Sequence, residues 1–145
     1  MGCDIHMVVE RRTPRSWVTV NTMTGHHMRW PREGGGLDWS APVATARNYR
    51  RFAMLAGVRG DGPPPRGLPD DISETAKFLS DDWGADGHSH SWIEADEAAR
   101  IFLATEYDEV DPDSFKAKFP LSYFFGIETD DANEDDFRIV FWFDN

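Results

Sequence analysis

The sequence predicts an α+β fold: a single domain over residues 1–145, with an antiparallel sheet, about three helices packed on one face, and long loops. Three observations support this class. Segments near both ends of the chain alternate apolar and polar residues, which is typical of strands with one buried side. A middle segment repeats apolar residues at helical spacing. The length of 145 residues, of which 40% are hydrophobic, suits one domain with a real core.

The N-terminal part of the chain predicts a β-hairpin. Residues 3–10 have the composition of a strand, and residues 16–21 form its partner, with residues 13–15 in the turn between them. Residues 22–46 show no clear periodicity and include three consecutive glycines. They therefore predict a long loop, which is often functional in a compact domain.

The middle of the chain predicts three helices. The first covers residues 46–56, where apolar residues recur at i, i+3, i+4 and i+7. Residues 59–69 are rich in Pro and Gly and predict a loop. A short helix follows at residues 73–82, with Asp71 as its expected N-cap, and a third helix is expected at residues 94–105.

The C-terminal part predicts two further strands. Apolar residues alternate over residues 121–127 and again over residues 137–143, so each segment has one apolar face. The connection at residues 128–136 is strongly acidic and predicts a solvated turn.

The segment of residues 86–92 holds two of the five histidines, His88 and His90, one residue apart. In an extended segment these imidazoles point to the same side, with Asp86 next in line. Imidazole and carboxylate are the usual ligands of zinc, manganese and related ions. The segment therefore predicts half of a metal site; the alternative is a polar turn before the third helix.

Asp4 and His6 form a second pair, on one face of the first predicted strand. A core-facing Asp needs a partner, because an unpaired buried charge is very costly, and a metal or an arginine would meet that need. The alternative places both side chains in solvent, and the residues alone do not decide. If the two pairs meet, Asp4, His6, His88 and His90 hold one or two divalent ions (Zn, Mn or Mg).

The net charge of −11 is distributed unevenly. Residues 1–69 carry ten arginines against five acidic residues, whereas residues 70–145 carry 21 acidic residues against five basic ones. The acidic half argues against broad nucleic-acid binding. Arg59 and Arg66 flank the Pro- and Gly-rich loop, and their guanidinium groups suit a phosphate; a rigid connection is the alternative.

Five blocks occur in order along the chain. They are Met1–His6, Asn48–Tyr49 with Phe52–Arg59, Arg66–Asp70, Trp83–Ser91 and Phe141–Asn145. Together they resemble an uncharacterised family of small proteins encoded by bacteriophages and prophages. The resemblance implies a place in the cytoplasm of an infected bacterium. It also implies a role in nucleotide or nucleic-acid metabolism, or in blocking host defence.

These observations favour a metal-dependent hydrolase of a phosphoester or nucleotide. The metal would activate a bound water, Asp86 would be a further ligand or base, and Arg59 or Arg66 would neutralise charge on the phosphate. The alternative is a non-catalytic binder that sequesters a nucleotide signal or blocks a host protein. An oligomeric assembly component is a third possibility. No apolar run reaches about 18 residues, so no membrane partner is expected.

Overall fold

The computed structural model describes residues 2–24, 28–31, 37–40, 47–106, 121, 124–127 and 136–144. Within these residues the strands are β1 (Asp4–Arg12), β2 (Trp17–Thr24), β3 (Met28–Pro31), β4 (Leu37–Ser40), β5 (Gly87–Glu94) and β6 (Phe137–Asp144). The helices of eight or more residues are α1 (Tyr49–Ala56), α2 (Glu74–Trp83) and α3 (Ala95–Glu106). None of these helices is long and apolar enough to cross a membrane.

Four strands form one antiparallel sheet in the order β2–β1–β6–β5. The central strands β1 and β6 pair over their whole length, from Asp4 opposite Asp144 to Arg11 opposite Phe137. Strands β2 and β5 are the two edges of this sheet. The predicted α+β class with an antiparallel sheet is therefore confirmed.

The main hydrophobic core lies on one face of this sheet. Odd-numbered residues of β1 and β6, such as Met7 and Phe141, point to this face because successive side chains of a strand alternate. Helices α1 and α3 cover the face, and Phe52 and Phe102 are among their fully buried side chains.

The opposite face of the sheet is apolar in the middle and polar at both ends. Val8 of β1 and Trp142 of β6 pack with Ala76 of α2. Helix α2 therefore covers this face, while α1 and α3 share the other. The reason is that Val8 interrupts the polar alternation of β1, and its side chain needs an apolar partner.

The N-cap of helix α2 lies two residues after the residue that the sequence predicts as its cap. The Ser73 hydroxyl accepts a hydrogen bond from the N–H of Ala76, so Ser73 is the N-cap. The prediction of Asp71 as N-cap is wrong, because the Asp71 carboxylate instead accepts a hydrogen bond from Arg138.

Two predicted segments differ from the structure. Residues 22–46 contain the end of β2 and a separate two-stranded sheet of β3 and β4, rather than only a loop. Leu121, Phe124 and Phe125 are helical rather than extended, and all three are buried. A short apolar run does not by itself distinguish a strand from a buried helix, which explains the second difference.

Candidate functional site

Polar side chains gather at both ends of the sheet face that α2 covers. Because β1 and β6 are antiparallel, the start of β1 and the end of β6 lie at the same end of the sheet. The histidine end comprises Asp4, His6, His90, Trp142 and Asp144. The arginine cleft, at the other end, is lined among others by Arg12, Trp17, Arg66, Asp71, Trp92 and Arg138.

His6 is bound to the last residue of β6. Its Nε2 atom contacts Oδ2 of Asp144, and both side chains are largely buried. The His6 ring centroid lies 4.2 Å from that of Trp83 and 6.1 Å from that of Trp142. Only 3% of His6 is exposed, so the imidazole is closed off from solvent.

Asp4 shares the buried face with His6, so the solvent-facing alternative is wrong for both. Arg47 donates two hydrogen bonds to the Asp4 carboxylate, with Nε–Oδ1 and Nη2–Oδ2 distances of 2.7 Å and 3.1 Å. The hydrogen bonds and charge of Asp4 raise the pKa of Arg47 above its ordinary value. Of the two partners that the sequence allowed for Asp4, the structure supplies an arginine.

A β-bulge separates His88 from His90. The pairing of β5 with β6 shifts register after His88, and Ser89 has a φ of 55°, in the left-handed region. His88 lies beside Phe143, which faces the main core, whereas His90 lies beside Trp142 on the α2 face. The prediction that both imidazoles point to one side is therefore wrong, because one extra residue reverses the alternation.

Strand β6 lies between the two predicted half-sites. Trp142 of β6 has its ring centroid 6.1 Å from those of both His6 and His90. Strands two positions apart are separated by about 10 Å. A site shared by the two pairs requires β1 to lie beside residues 86–92, but β5 pairs with β6 instead. Asp86 is exposed in a 3-10 turn rather than in line with the histidines.

The geometry does not assemble the predicted metal site. In the described part of the chain, no three His, Cys, Asp or Glu side chains are grouped as a metal site requires. Metal binding by Asp4, His6, His88 and His90 therefore stays a prediction. The remaining histidines, at positions 26 and 27, lie outside the described residues.

Buried polar atoms that no described side chain satisfies lie at the histidine end and on the main-core face beside it. Among the described residues, the Nε1 atom of buried Trp142 and the Nε2 atom of His88 have no hydrogen-bond partner. Burial, and secondarily the charge of His88, lower the pKa of His90. The His90 imidazole is therefore neutral at neutral pH.

The two predicted phosphate-binding arginines lie in different surroundings. The Arg59 guanidinium is 5.4 Å from the ring centroid of Tyr49 and also interacts with Cys3. Burial raises the pKa of the Cys3 thiol, and Arg59 opposes this shift. Arg66 instead lines the arginine cleft, so these two arginines do not form one phosphate site.

Arg138 forms the floor of the arginine cleft. Its Nε atom donates to Oε1 of Glu10 at 2.6 Å, and its Nη1 atom donates to Oδ1 of Asp71 at 2.9 Å. Its guanidinium carbon lies 4.0 Å from the ring centroid of Trp17. The hydrogen bond from Arg138 lowers the pKa of Asp71. The second Glu10 oxygen accepts the Ser73 N–H, which connects this network to the start of α2.

Arg66 and Trp92 form one wall of the cleft. The Arg66 N–H donates to Oγ of Ser91 at 3.0 Å, and the Arg66 guanidinium lies 5.2 Å from the Trp92 ring centroid. The N–H of Gly67 donates to the His90 carbonyl at 2.9 Å. The Pro- and Gly-rich loop, which has no helix or strand as predicted, thus docks on the edge of β5.

The cleft is open to solvent and has a volume of about 780 Å³. Arg12 lies at its opening, where its side chain is 56% exposed and pairs with Asp136 at 3.2 Å. Asp70 and Glu94 also line the cleft. The lining therefore combines three guanidinium groups, three carboxylates and two indole rings.

Sequence reasoning identified Arg66 but missed the other main groups. The sequence pattern predicted no role for Trp17, Trp92, Arg138 or Asp144. The signal for the last two was the alternation over residues 137–143: the residues between the phenylalanines form the second face of that strand.

No protein-family model matches the chain, and no curated protein or solved structure matches it. The fold and the two ends define a small α+β protein with a closed histidine end and an open cleft of mixed charge. The resemblance to bacteriophage-encoded proteins stays a prediction.

Proposed function

We propose that the protein binds a nucleotide, or another aromatic compound with a phosphate, in the arginine cleft and does not turn it over. The observation that carries this proposal is the fixation of Arg138 by Glu10 and Asp71 against the face of Trp17. This arrangement places a positive charge and an aromatic ring together before a ligand arrives.

The buried ion pair is difficult to explain by stability alone. Arg138 is 4% exposed and Glu10 is fully buried. Taking such charges out of water is expensive, and apolar replacements of buried ion pairs are often neutral or stabilising. A fixed guanidinium, however, binds an anion without the entropy cost of ordering a flexible side chain. Arg138 uses three of its five N–H donors on Glu10 and Asp71, which leaves two.

Two further arginines stand at the opening of the cleft. The side chains of Arg12 and Arg66 are 56% and 45% exposed. Their ion pairs with acidic residues are solvent-exposed and therefore weak, so a phosphate competes with them readily. Arginine binds phosphate with two parallel hydrogen bonds, which is why these side chains suit a phosphorylated ligand.

Two indole rings also line the cleft, each beside an arginine guanidinium. Trp17 lies on edge strand β2 and Trp92 on edge strand β5, so the two indole rings flank the cleft. Stacking of a base on an aromatic side chain contributes roughly 1–3 kcal/mol.

Titration calorimetry with nucleoside monophosphates and with inorganic phosphate tests this proposal. Arg66→Ala should weaken nucleotide binding at least roughly tenfold, because a charged hydrogen bond is lost. Arg100→Ala is the matched control, since Arg100 is an exposed arginine on α3 outside the cleft. Absence of nucleotide binding by the wild-type protein at millimolar concentration would overturn the proposal, as would an equal loss in both variants.

A second candidate is a metal-dependent phosphoester hydrolase at the histidine end. Asp4 and Asp144 are directly opposite each other on β1 and β6, and His6 contacts Asp144. Magnesium is often held by one or two carboxylates together with substrate phosphates. Under this proposal Asp86 remains the candidate base, and Arg59 the candidate cation for the phosphate.

Phosphate release from a nucleotide panel with Mn²⁺ tests the second candidate. Asp144→Asn should abolish release, whereas Asp82→Asn, an exposed carboxylate on α2, should not change it. The candidate fails if the wild-type protein neither binds Mn²⁺ in calorimetry nor releases phosphate.

A further inference from the structure

We infer that the ligand of the arginine cleft is a guanine nucleotide, an inference that rests on the proposed binding function. The feature that points to guanine is the neighbourhood of Trp92 and Glu94 on β5. They are two residues apart after the bulge, opposite Val140 and Arg138, so both side chains point to the α2 face. A base stacked on the Trp92 ring has its edge beside a carboxylate.

The donors and acceptors on the base decide which nucleotide this arrangement accepts. Guanine presents two adjacent N–H donors, at N1 and N2, with the O6 acceptor beside them. A carboxylate accepts both donors at once, and a guanidinium donates to O6. Adenine presents an acceptor at N1, which a carboxylate repels. A site that combines a carboxylate with a neighbouring arginine therefore prefers guanine.

The cleft supplies this combination across two strands. Glu94 is the direct cross-strand partner of Arg138. The Arg138 guanidinium is held in place by Asp71, so it stays beside the position of the base. Glu94 can accept hydrogen bonds at two oxygens, which matches the two adjacent donors of guanine. Asp70 adds a second exposed carboxylate to the same lining.

The phosphate of the nucleotide has its place on the other side of the cleft. Arg12 lies on β1, two strands from β5 and therefore about 10 Å away. A base beside Glu94 directs the ribose across β6 and the phosphate toward Arg12. The exposed pair of Arg12 and Asp136 opens at little cost to receive it.

Calorimetry with GMP, AMP, CMP and UMP tests the inference on the full chain. Wild-type protein should bind GMP at least roughly tenfold more tightly than AMP, because guanine presents two adjacent donors to a carboxylate whereas adenine presents an acceptor beside its amino group. Glu94→Gln should weaken GMP binding and leave AMP binding unchanged, so that the preference disappears. Asp82→Asn is the control and should leave the preference intact.

The outcomes separate this inference from the proposed function. The guanine assignment is overturned if the four nucleotides bind with equal affinity, or if Glu94→Gln does not reduce the GMP preference. Neither result contradicts the proposed nucleotide site. Absence of binding by all four overturns both. A thermal melt followed by circular dichroism establishes that Glu94→Gln is folded, and the wild-type ranking alone already tests the inference.

Discussion

The histidine end and the arginine cleft lie on the same face of the four-stranded sheet, and they differ in access to solvent. At the histidine end, Asp4 and His6 are each 3% exposed; Arg47 binds the Asp4 carboxylate, and Asp144 binds Nε2 of His6. In the cleft, Arg12 keeps more than half of its side chain exposed. Strand alternation produces both groups, because every second residue of β1 and β6 points to this face.

This difference supports the proposal that the cleft binds a ligand while the histidine end holds the sheet together. The histidine end joins the start of β1 to the end of β6 through closed side-chain pairs. The cleft has a rigid floor of Arg138 and an exposed opening, which are the properties of a preformed ligand site. Substitutions at both ends test whether the cleft binds and the histidine end stabilises, from the largest expected effect to the smallest.

Arg138→Met should be the most damaging substitution. It leaves Glu10 fully buried beside no guanidinium, and breaking a buried pair in this way costs about 3–5 kcal/mol of unfolding free energy. Urea denaturation measures the loss, with the exposed Arg12→Met as control at below about 1 kcal/mol. Adding Glu10→Leu should recover part of the stability. A loss below about 1 kcal/mol in the single variant would show that the floor of the cleft is not fixed as described.

Asp144→Asn should destabilise the histidine end by about 1–3 kcal/mol, because it replaces the charged partner of buried His6. Chemical denaturation again provides the measurement. Asp81→Asn, which removes a surface pair with Lys77, is the control and should have almost no effect. Unchanged stability in Asp144→Asn, combined with loss of Mn²⁺-dependent phosphate release, would assign this end to catalysis instead of structure.

Acid should weaken the fold through His90. Its pKa in the folded protein is lowered from the ordinary value of 6.5, by burial first and by His88 second. The unfolded chain therefore takes up the proton more readily, so stability present above that value is lost as the pH falls through the folded pKa. His90→Gln should reduce the fall in melting temperature between about pH 7 and pH 5. His88→Gln removes only the smaller cause of the lowered His90 pKa, so it should reduce this fall in melting temperature less than His90→Gln does. Identical pH profiles for the wild type and both variants would contradict the assignment.

Gly2→Ala should have the smallest effect. A Cβ atom on Gly2 would lie 2.2 Å from Nη1 of Arg47, so the arginine has to move. The Arg47 side chain is about half exposed and flexible, so the expected loss is about 1 kcal/mol or less. In an Arg47→Ala background the same substitution should cost nothing, as measured by a double-mutant cycle. An equal loss in both backgrounds would contradict the described contact.

The sequence was sufficient for β1, β6 and α1, because each has a clear apolar periodicity of its own. It was not sufficient for strand order. Pairing between β1 and β6 depends on contacts between distant residues, and no local pattern records it. Because the residue pattern does not give the strand order, it allowed His6 and His90 to meet at one site. In the structure, Trp142 lies between them.

The candidate site was predicted only in part, for the same physical reason. The need of buried Asp4 for a partner followed from its charge, and the structure identifies that partner as Arg47. The cleft, in contrast, is assembled from four strands and a loop. Its floor depends on the bond between Glu10 and Arg138, which are 128 positions apart in the sequence. The bulge at Ser89 had no signature in the residue pattern either.

The bond between Glu10 and Arg138 also has a consequence for synthesis on the ribosome. These residues are 128 positions apart, and Glu10 additionally caps the start of α2 through Ser73. During synthesis, β1 lacks its pairing partner β6 until β6 has left the ribosomal exit tunnel. Until then, β1 exposes unpaired backbone groups to other chains. The side of β1 that β6 covers in the folded protein is therefore open to other chains until β6 emerges.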